Sequence, residues 1–544
     1  MRLNGKAMMR ARFLFVFMLL WLCSVAGTLA QPPATFSNPV IAGDFPDPSV
    51  IRAGEDYYAA TTSGTWAPHF PILHSRDLVN WKVVGHVFQQ PPAWTLRDFW
   101  APELITDRGR FFAYYTARRN DGKGKKGTLC VAVATAAKPE GPYTDHGPLV
   151  CQEAGSIDPF VTRDENNRLY LIWKEDGNDR NQPTPLWAQP LAEDGIKLVG
   201  KRVEILRNDK PWERHVIEGS YILRRGGWFY HFYSGNACCG RGCDYALGVA
   251  RSRKLLGPWE KHPANPILPA NDAWQCPGHG SIVSTPDGRD FMLYHAYRRR
   301  PDAFNIGREA LLDEIKWDGA DGWPSINSGR GPSSAPAPIE RAAEEPEREF
   351  FDGFNVAPLD PAWAWPMYNE QSTMVETGPG GYLVLSAQGT KPAAGTGLLM
   401  TGAVLGRRTT AGDYVATTLL NTQGLQTGAC GGLAAYSHRN GAIGVAICGG
   451  NKVMVWRREE QEQRTLATAE APPGVSAVYL RMSVTGGELY RFAVSANGRD
   501  WKELGEPVAG SFVEGARVAL TAGGKPGATA RFDWVRVIPL VAKK

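Results

Sequence analysis

The chain has 544 residues, 43% of them apolar, with 60 glycines and 40 prolines; the length exceeds one hydrophobic core and the composition suits an ordered, turn-rich β protein of two domains. Its formal charge of +5 rests largely on Arg2, Lys6, Arg10 and Arg12, because residues 1–30 contain no acid. The remainder is near +1, which excludes an electrostatic case for nucleic acid or an anionic membrane surface as partner.

In chain order, the basic cluster is followed by the apolar run FLFVFMLLWLC and by TLA before Gln31, the pattern of a secretory signal peptide over residues 1–30. The run is short for a membrane span, and Cys23 lacks the small residue that a lipoprotein signal places before its cysteine. A soluble exported protein, secreted or periplasmic, is predicted. Without Cys23 eight cysteines remain, an even set suited to disulfides in an oxidising compartment. Cys430 with Cys448, around the turn-like Asn440-Gly441, and Cys130 with Cys151 are the expected pairs. Cys238, Cys239 and Cys243 lie in a Gly-rich stretch and read as disulfides involving Cys276, with a zinc site as the alternative.

Five aromatic strand signatures start at Tyr57, Phe111, Leu169, Trp228 and Phe291, so successive starts lie 54, 58, 59 and 63 residues apart. Each follows a turn rich in Gly, Asn or Asp and precedes further strand-like segments. One four-stranded blade per period predicts a five-bladed β-propeller over residues 31–327. A polar residue stands 10, 8, 11, 10 and 12 residues before the five starts: Asp47, Glu103, Asp158, Glu218 and His279. If the innermost strand comes first in each blade, these five converge on one mouth of the central channel.

From 328 to 347 the pattern gives way to GRGPSSAPAPIERAAEEPE, rich in Pro, Ala and charge, which reads as an exposed linker. Residues 348–544 return to short alternating strands such as GYLVLSA and VYLRMSV, a β-sandwich, so the whole chain is all-β. The tryptophans of FFDGFNVAPLDPAWAW at its start suit either sugar binding or core packing.

Three of the five channel residues are carboxylates in confined frames: Asp47 in DFPDPS, Asp158 in GSIDPF and Glu218 in VIEGSY. The proline after each aspartate limits it to extended backbone and makes a stiff mount. Asp-Pro alone is ordinary turn material. Three acids at one phase of a repeat are different, since converging like charges cost stability unless a function or a counter-charge retains them.

The ordered series NPV, PDPSVI, HSRDLVNW, DFWAPEL, GSIDPF, IEGSY, PGHGSIV and GRE before DEIKW, over roughly residues 36–327, resembles glycoside hydrolase family 43, the five-bladed propeller enzymes of plant cell-wall breakdown. The segment from Phe350 is similar to the C-terminal β-sandwich, a concanavalin A-like jelly roll, of its β-xylosidase-like members. The resemblance implies inverting hydrolysis with Asp47 as general base, Glu218 as general acid and Asp158 as the acid that orients Glu218 and raises its pKa. It also implies that the Asp47 and Glu218 carboxyls stand roughly 6.5–9.5 Å apart, leaving room for a water. Asp44 is then left to hydrogen-bond its turn, and Glu103 to support the site from behind.

His279 is read either as a satisfied channel histidine or as the neighbour of an axial ion such as Ca²⁺, structural or electrostatic in role; no cofactor is required for the chemistry. Arg308 of the GRE motif is expected to hydrogen-bond a sugar hydroxyl or the acid cluster. Trp100 is a candidate pocket wall, with blade packing as its competitor, and Trp66 a further candidate sugar contact. The implied function is an exported exo-glycosidase releasing terminal α-L-arabinofuranosyl residues from arabinan, arabinoxylan or their oligosaccharides, with a β-D-xylosidase or bifunctional enzyme as the nearest alternative. A non-catalytic propeller lectin predicts equivalent pockets between blades, which different acids in different blades argue against. A retaining fructan hydrolase would carry an Asn-Asp-Pro-Asn frame where this chain has PDPS.

Overall fold

The aromatic runs form strands because each blade is covered on both faces. In FFAYYTA, Phe112 and Tyr114 pack toward the third blade while Ala113 and Tyr115 pack toward the first. Both side-chain phases are therefore apolar, as in any sheet buried on two sides.

The structure is a computed structural model that describes residues 34–540 apart from 123–125, 300–302, 318, 320, 336, 340–348, 368–371, 389–399, 438–440, 450 and 460–461. The signal-peptide segment 1–30 lies outside the described residues. Among the described residues, five four-stranded antiparallel sheets follow one another along the chain. Their innermost strands are Ser49–Ala53, Thr95–Asp107, Ser156–Arg163, Ile217–Arg225 and Trp274–Ser284, each followed by its aromatic strand. These strands neighbour one another in a closed ring, the fifth against the first. This is the expected five-bladed propeller.

The ring is clasped at its seam. Ile41 bridges to Ala310 of blade 5, and Ala34–Phe36 pairs with Ala337–Ile339. The stretch expected to be linker from 328 therefore contains a strand. Phe36 and Ile339 sink into the core between blades 5 and 1, and the flanking Pro and Ala had hidden that short apolar API.

Beyond it, a nine-stranded and a six-stranded sheet among the described residues enclose one apolar core. This sandwich docks on the propeller. Trp365–Pro366 pairs with Trp66–Ala67, Arg408 Nε donates to the Asp44 carbonyl at 2.6 Å, and Arg241 reaches Glu488 at 2.7 Å. Tryptophans of its opening segment serve packing: Trp363 is buried in the sandwich core, and Trp365 packs against it. Disulfides join Cys130 to Cys151 and Cys430 to Cys448, as read from the sequence. Cys243 bonds Cys276 and Cys238 bonds its neighbour Cys239, which consumes the thiolates the zinc reading needed.

The five inner strands line an axial cavity of about 600 Å³. Glu103 lines it, and burial pushes its carboxyl up to about 8 against a hydrogen bond from Ser49. The proton is thus held more tightly in the fold than in the unfolded chain. The stability it contributes is complete below about pH 4.5 and is lost as pH rises through about 8. Glu103→Gln is expected to remove that loss, worth on the order of 3–5 kcal/mol between those limits, which urea melts at pH 5 and pH 9 measure.

Candidate active site

Each inner strand, or in blade 1 the segment just before it, carries a residue with left-handed backbone at one phase: Asp47 (φ 52°), Ala101 (φ 42°), Asp158 (φ 55°), Gly219 (φ 62°) and His279 (φ 49°). The extended backbone expected before Pro48 and Pro159 is not adopted. In blades 2 to 5 the strand bulges here, and the register shifts between Ile157 and Phe160 and between Glu218 and Tyr221. Non-glycine residues at positive φ cost about 1–3 kcal/mol each and persist where the surroundings over-determine them. Blade 4 uses glycine because a Cβ at 219 would lie 3.1 Å from the His279 ring, so the acid there, Glu218, sits one residue earlier. Glu103 lies two residues beyond the left-handed Ala101. It faces the axial cavity rather than the mouth where the other four meet, which corrects its sequence alignment with them.

Asp47, Asp158 and Glu218 come together, each 7–8% exposed. His279 Nδ1 stands 3.6 Å from Asp47 Oδ1 and 3.9 Å from Asp158 Oδ2, and Gly219 N–H donates to Asp158 Oδ2 at 3.2 Å. Asp47 is held by cations and donors: Arg308 Nη1 gives Oδ1 a hydrogen bond at 2.8 Å, and Thr62 Oγ1 gives Oδ2 one at 2.7 Å. Burial raises its proton affinity, yet the neighbouring charges, Arg308 foremost, outweigh burial and keep the carboxyl well below the usual range. His295, buried against Asp47, is driven by desolvation down to about 4 and stays neutral.

The opposite pair behaves differently. Glu218 Oε2 accepts from Lys174 Nζ at 2.6 Å and Oε1 from Tyr245 Oη at 3.0 Å. Burial pushes Glu218 up, but the Lys174 ammonium pulls it below its ordinary value. Asp158 is pushed up to about 7 by burial and by the Glu218 carboxylate, against His279 and Lys174. The pulls on the two carboxyls are thus opposite, Asp158 drawn toward its protonated form and Glu218 toward its ionised one, where the sequence predicts an ionised Asp158 raising Glu218. Lys174, buried in LYLIWK, is the reason.

Arg308 is positioned by Asp44, whose Oδ1 accepts the Arg308 N–H at 3.0 Å. Asp44 thus serves the arginine loop rather than its own turn. Gly307 (φ 96°) is required there, since a Cβ would meet Asp44 Oδ1 at 2.4 Å. Trp100 is half-buried at the bulge beside Asp158, paired with Thr116, whose hydroxyl takes the Asp158 N–H at 3.1 Å. Trp66 is placed elsewhere. It is 3% exposed in the domain interface, with the Arg517 guanidinium 4.0 Å over its ring and the Tyr436 ring against it at 5.6 Å. Trp66→Ala is expected to cost about 3–5 kcal/mol in urea melts while leaving KM for a small glycoside unchanged; a tenfold rise in KM at unaltered stability would restore the sugar-contact reading.

Among the described residues no group of three or more His, Cys, Asp or Glu is arranged to hold a metal ion. His279 faces Asp47, whose Oδ1 is taken by Arg308 at 2.8 Å, and Asp158, whose Oδ2 accepts the Gly219 N–H at 3.2 Å, so these carboxylate oxygens already have protein partners.

The sequence profile described as glycosyl hydrolases family 43 matches residues 36–324, and that of the beta xylosidase C-terminal concanavalin A-like domain matches 351–538. A xylosidase/arabinosidase 43B of Humicola insolens is 35% identical over 316 residues, covering 54% of this chain and 56% of that protein. A non-reducing end alpha-L-arabinofuranosidase of Bacteroides ovatus is 30% identical over 329 residues, 58% of this chain and 57% of that one. The chain thus spans less than two thirds of the length of either relative. The solved structure of the GH43 protein BlXynB from Bacillus licheniformis superposes with a TM-score of 0.80 at 27% identity, covering 93% of this chain and 100% of that one.

Proposed function

This chain belongs to glycosyl hydrolase family 43, and on that premise we propose that it is an inverting exo-glycosidase releasing terminal α-L-arabinofuranosyl residues from plant cell-wall polysaccharides or oligosaccharides. The observation that carries the reading is the meeting of Asp47, Asp158 and Glu218 at one mouth of the propeller with opposed proton affinities. Asp47, ionised by Arg308, takes a proton from water as its oxygen attacks the anomeric carbon. The glycosidic C–O bond breaks, and the leaving oxygen takes the proton that Glu218 delivers from the Asp158–Glu218 pair. Arg308 and His279, partly exposed beside Asp47, and the half-buried Trp100 are assigned to the sugar.

β-D-xylosidase activity is the second reading, favoured by relatives whose names carry both activities. Chromogenic arabinofuranoside and xylopyranoside assays decide between them, and inactivity of the folded protein on both sinks the reading. Proton NMR of the first-formed sugar tests inversion; retention rules out the assigned roles. Activity is expected to fall above about pH 7 as the pair loses its proton, while the acidic limb lies below the ordinary carboxylate range because Asp47 stays ionised there. A kcat/KM profile from pH 3 to 9 reads both limbs. Export through cleavage before Gln31 belongs to the same proposal, and N-terminal sequencing of the mature protein tests it.

A further inference from the structure

One position on each blade's second strand, or in blade 1 just past its end, faces the residue just before the left-handed one. Thr116 pairs with Trp100, Lys174 with Ile157, Ser234 with Glu218 and His295 with Gly278, while Thr62 N–H bonds the Pro46 carbonyl in blade 1. In four blades this residue accepts the N–H of the next blade's left-handed residue. Thr62 Oγ1 takes it from Ala101 at 2.7 Å, Thr116 Oγ1 from Asp158 at 3.1 Å, Ser234 Oγ from His279 at 2.8 Å and His295 Nδ1 from Asp47 at 3.2 Å.

Blade 3 breaks the ring. Lys174 has three donors and no acceptor, so Gly219 N–H turns to Asp158 Oδ2 instead. The ammonium, 1% exposed, bonds Glu218 Oε2 at 2.6 Å and Asp176 Oδ1 at 2.9 Å. A hydroxyl would have closed the ring at no charge cost, whereas a buried cation is costly unless paired. The substitution falls in the one blade whose neighbour carries Glu218.

We propose that Lys174 and Asp176 are positioning residues for Glu218: Lys174 grips and orients the carboxyl through Oε2, while Asp176 shares the ammonium and limits that grip. A cation so close also favours the ionised carboxylate. The proposal rests on the reading of Glu218 as general acid. The other groups facing Glu218 are Asp158 of blade 3, Tyr245 of its own blade, which donates to Oε1, and His279 of blade 5.

The test is the pH dependence of kcat on an aryl glycoside. Lys174→Thr, the residue type of blades 1 and 2, is expected to move the alkaline limb up by about 1–3 pH units, and Asp176→Asn to move it down. Lys174→Met, which keeps volume without charge, should follow Lys174→Thr. Limbs that move together, or stay in place while melting temperature falls, overturn the proposal and leave Lys174 a packing residue. A ¹³C-carboxyl NMR titration, with the Glu218 signal assigned by its loss in Glu218→Gln, reads the same opposite shifts without turnover. A chain that titrates this way but hydrolyses nothing would sink the hydrolase reading and leave this assignment standing; an unmoved Glu218 signal in an active enzyme would sink this assignment alone.

Discussion

Asp47→Asn is expected to lower kcat by about 10²–10⁴-fold on every glycoside tested, whatever the leaving group. The loss should be uniform because the missing function is removal of a proton from water, which the departing oxygen does not touch. The amide still accepts from Thr62 and the backbone at 47 is unchanged, so the site keeps its shape. Arg308, however, loses the carboxylate 2.8 Å away, and breaking a buried pair from one side costs about 3–5 kcal/mol. Thermal melts of Asp47→Asn should therefore show a clear destabilisation that Asp47→Asn/Arg308→Met recovers in part. A loss confined to poor leaving groups would remove Asp47 from the role of base.

Glu218→Gln is expected to have the second large effect, with the opposite dependence. Substrates whose leaving oxygen needs a proton should lose about 10²–10⁴-fold in kcat, while aryl glycosides with acidic leaving groups lose far less. The amide cannot deliver a proton, yet it fills the same space between Lys174 and Tyr245. Plotting log kcat against leaving-group pKa measures this; wild-type and variant lines of equal slope would count against the acid assignment. The variant also leaves the Lys174 ammonium with Asp176 as its remaining carboxylate partner at 2.9 Å, so some loss of stability accompanies the kinetic effect.

Much of the fold was legible because a propeller repeats a pattern that the chain must repeat too. Aromatic residues at both phases of FFAYYTA announce a blade covered on two faces, and five such runs announce five blades. The short strand Ala337–Ile339 was not legible, since three residues with a proline among them carry no periodicity and pair with a segment about 300 positions away. Trp66 shows the limit of reading a residue by type. A tryptophan near a sugar site and one under a docked second domain look alike until the second domain is placed.

The candidate site divides the same way. Lys174 and His295 each stand as a lone polar residue in an aromatic strand, a signal that could have been followed. His231 in WFYHFYS carries the same signal and is a buried histidine against Trp259, pushed down to about 3 by desolvation and, to a lesser degree, by the Lys261 charge. Pattern cannot separate the two, because what distinguishes them is which blade edge each meets.

The amino-acid sequence by itself determined the blade count, the sandwich and the three acids, since these follow from local alternation, spacing and residue type. Only the tertiary structure decided which charges face each carboxyl, which residue grips Glu218, and that Asp44 steadies Arg308 while Arg408 of the sandwich bonds its carbonyl. Proton affinities in a buried cluster depend on charges a few ångströms away in space, and those charges come from segments that no local window of the chain contains.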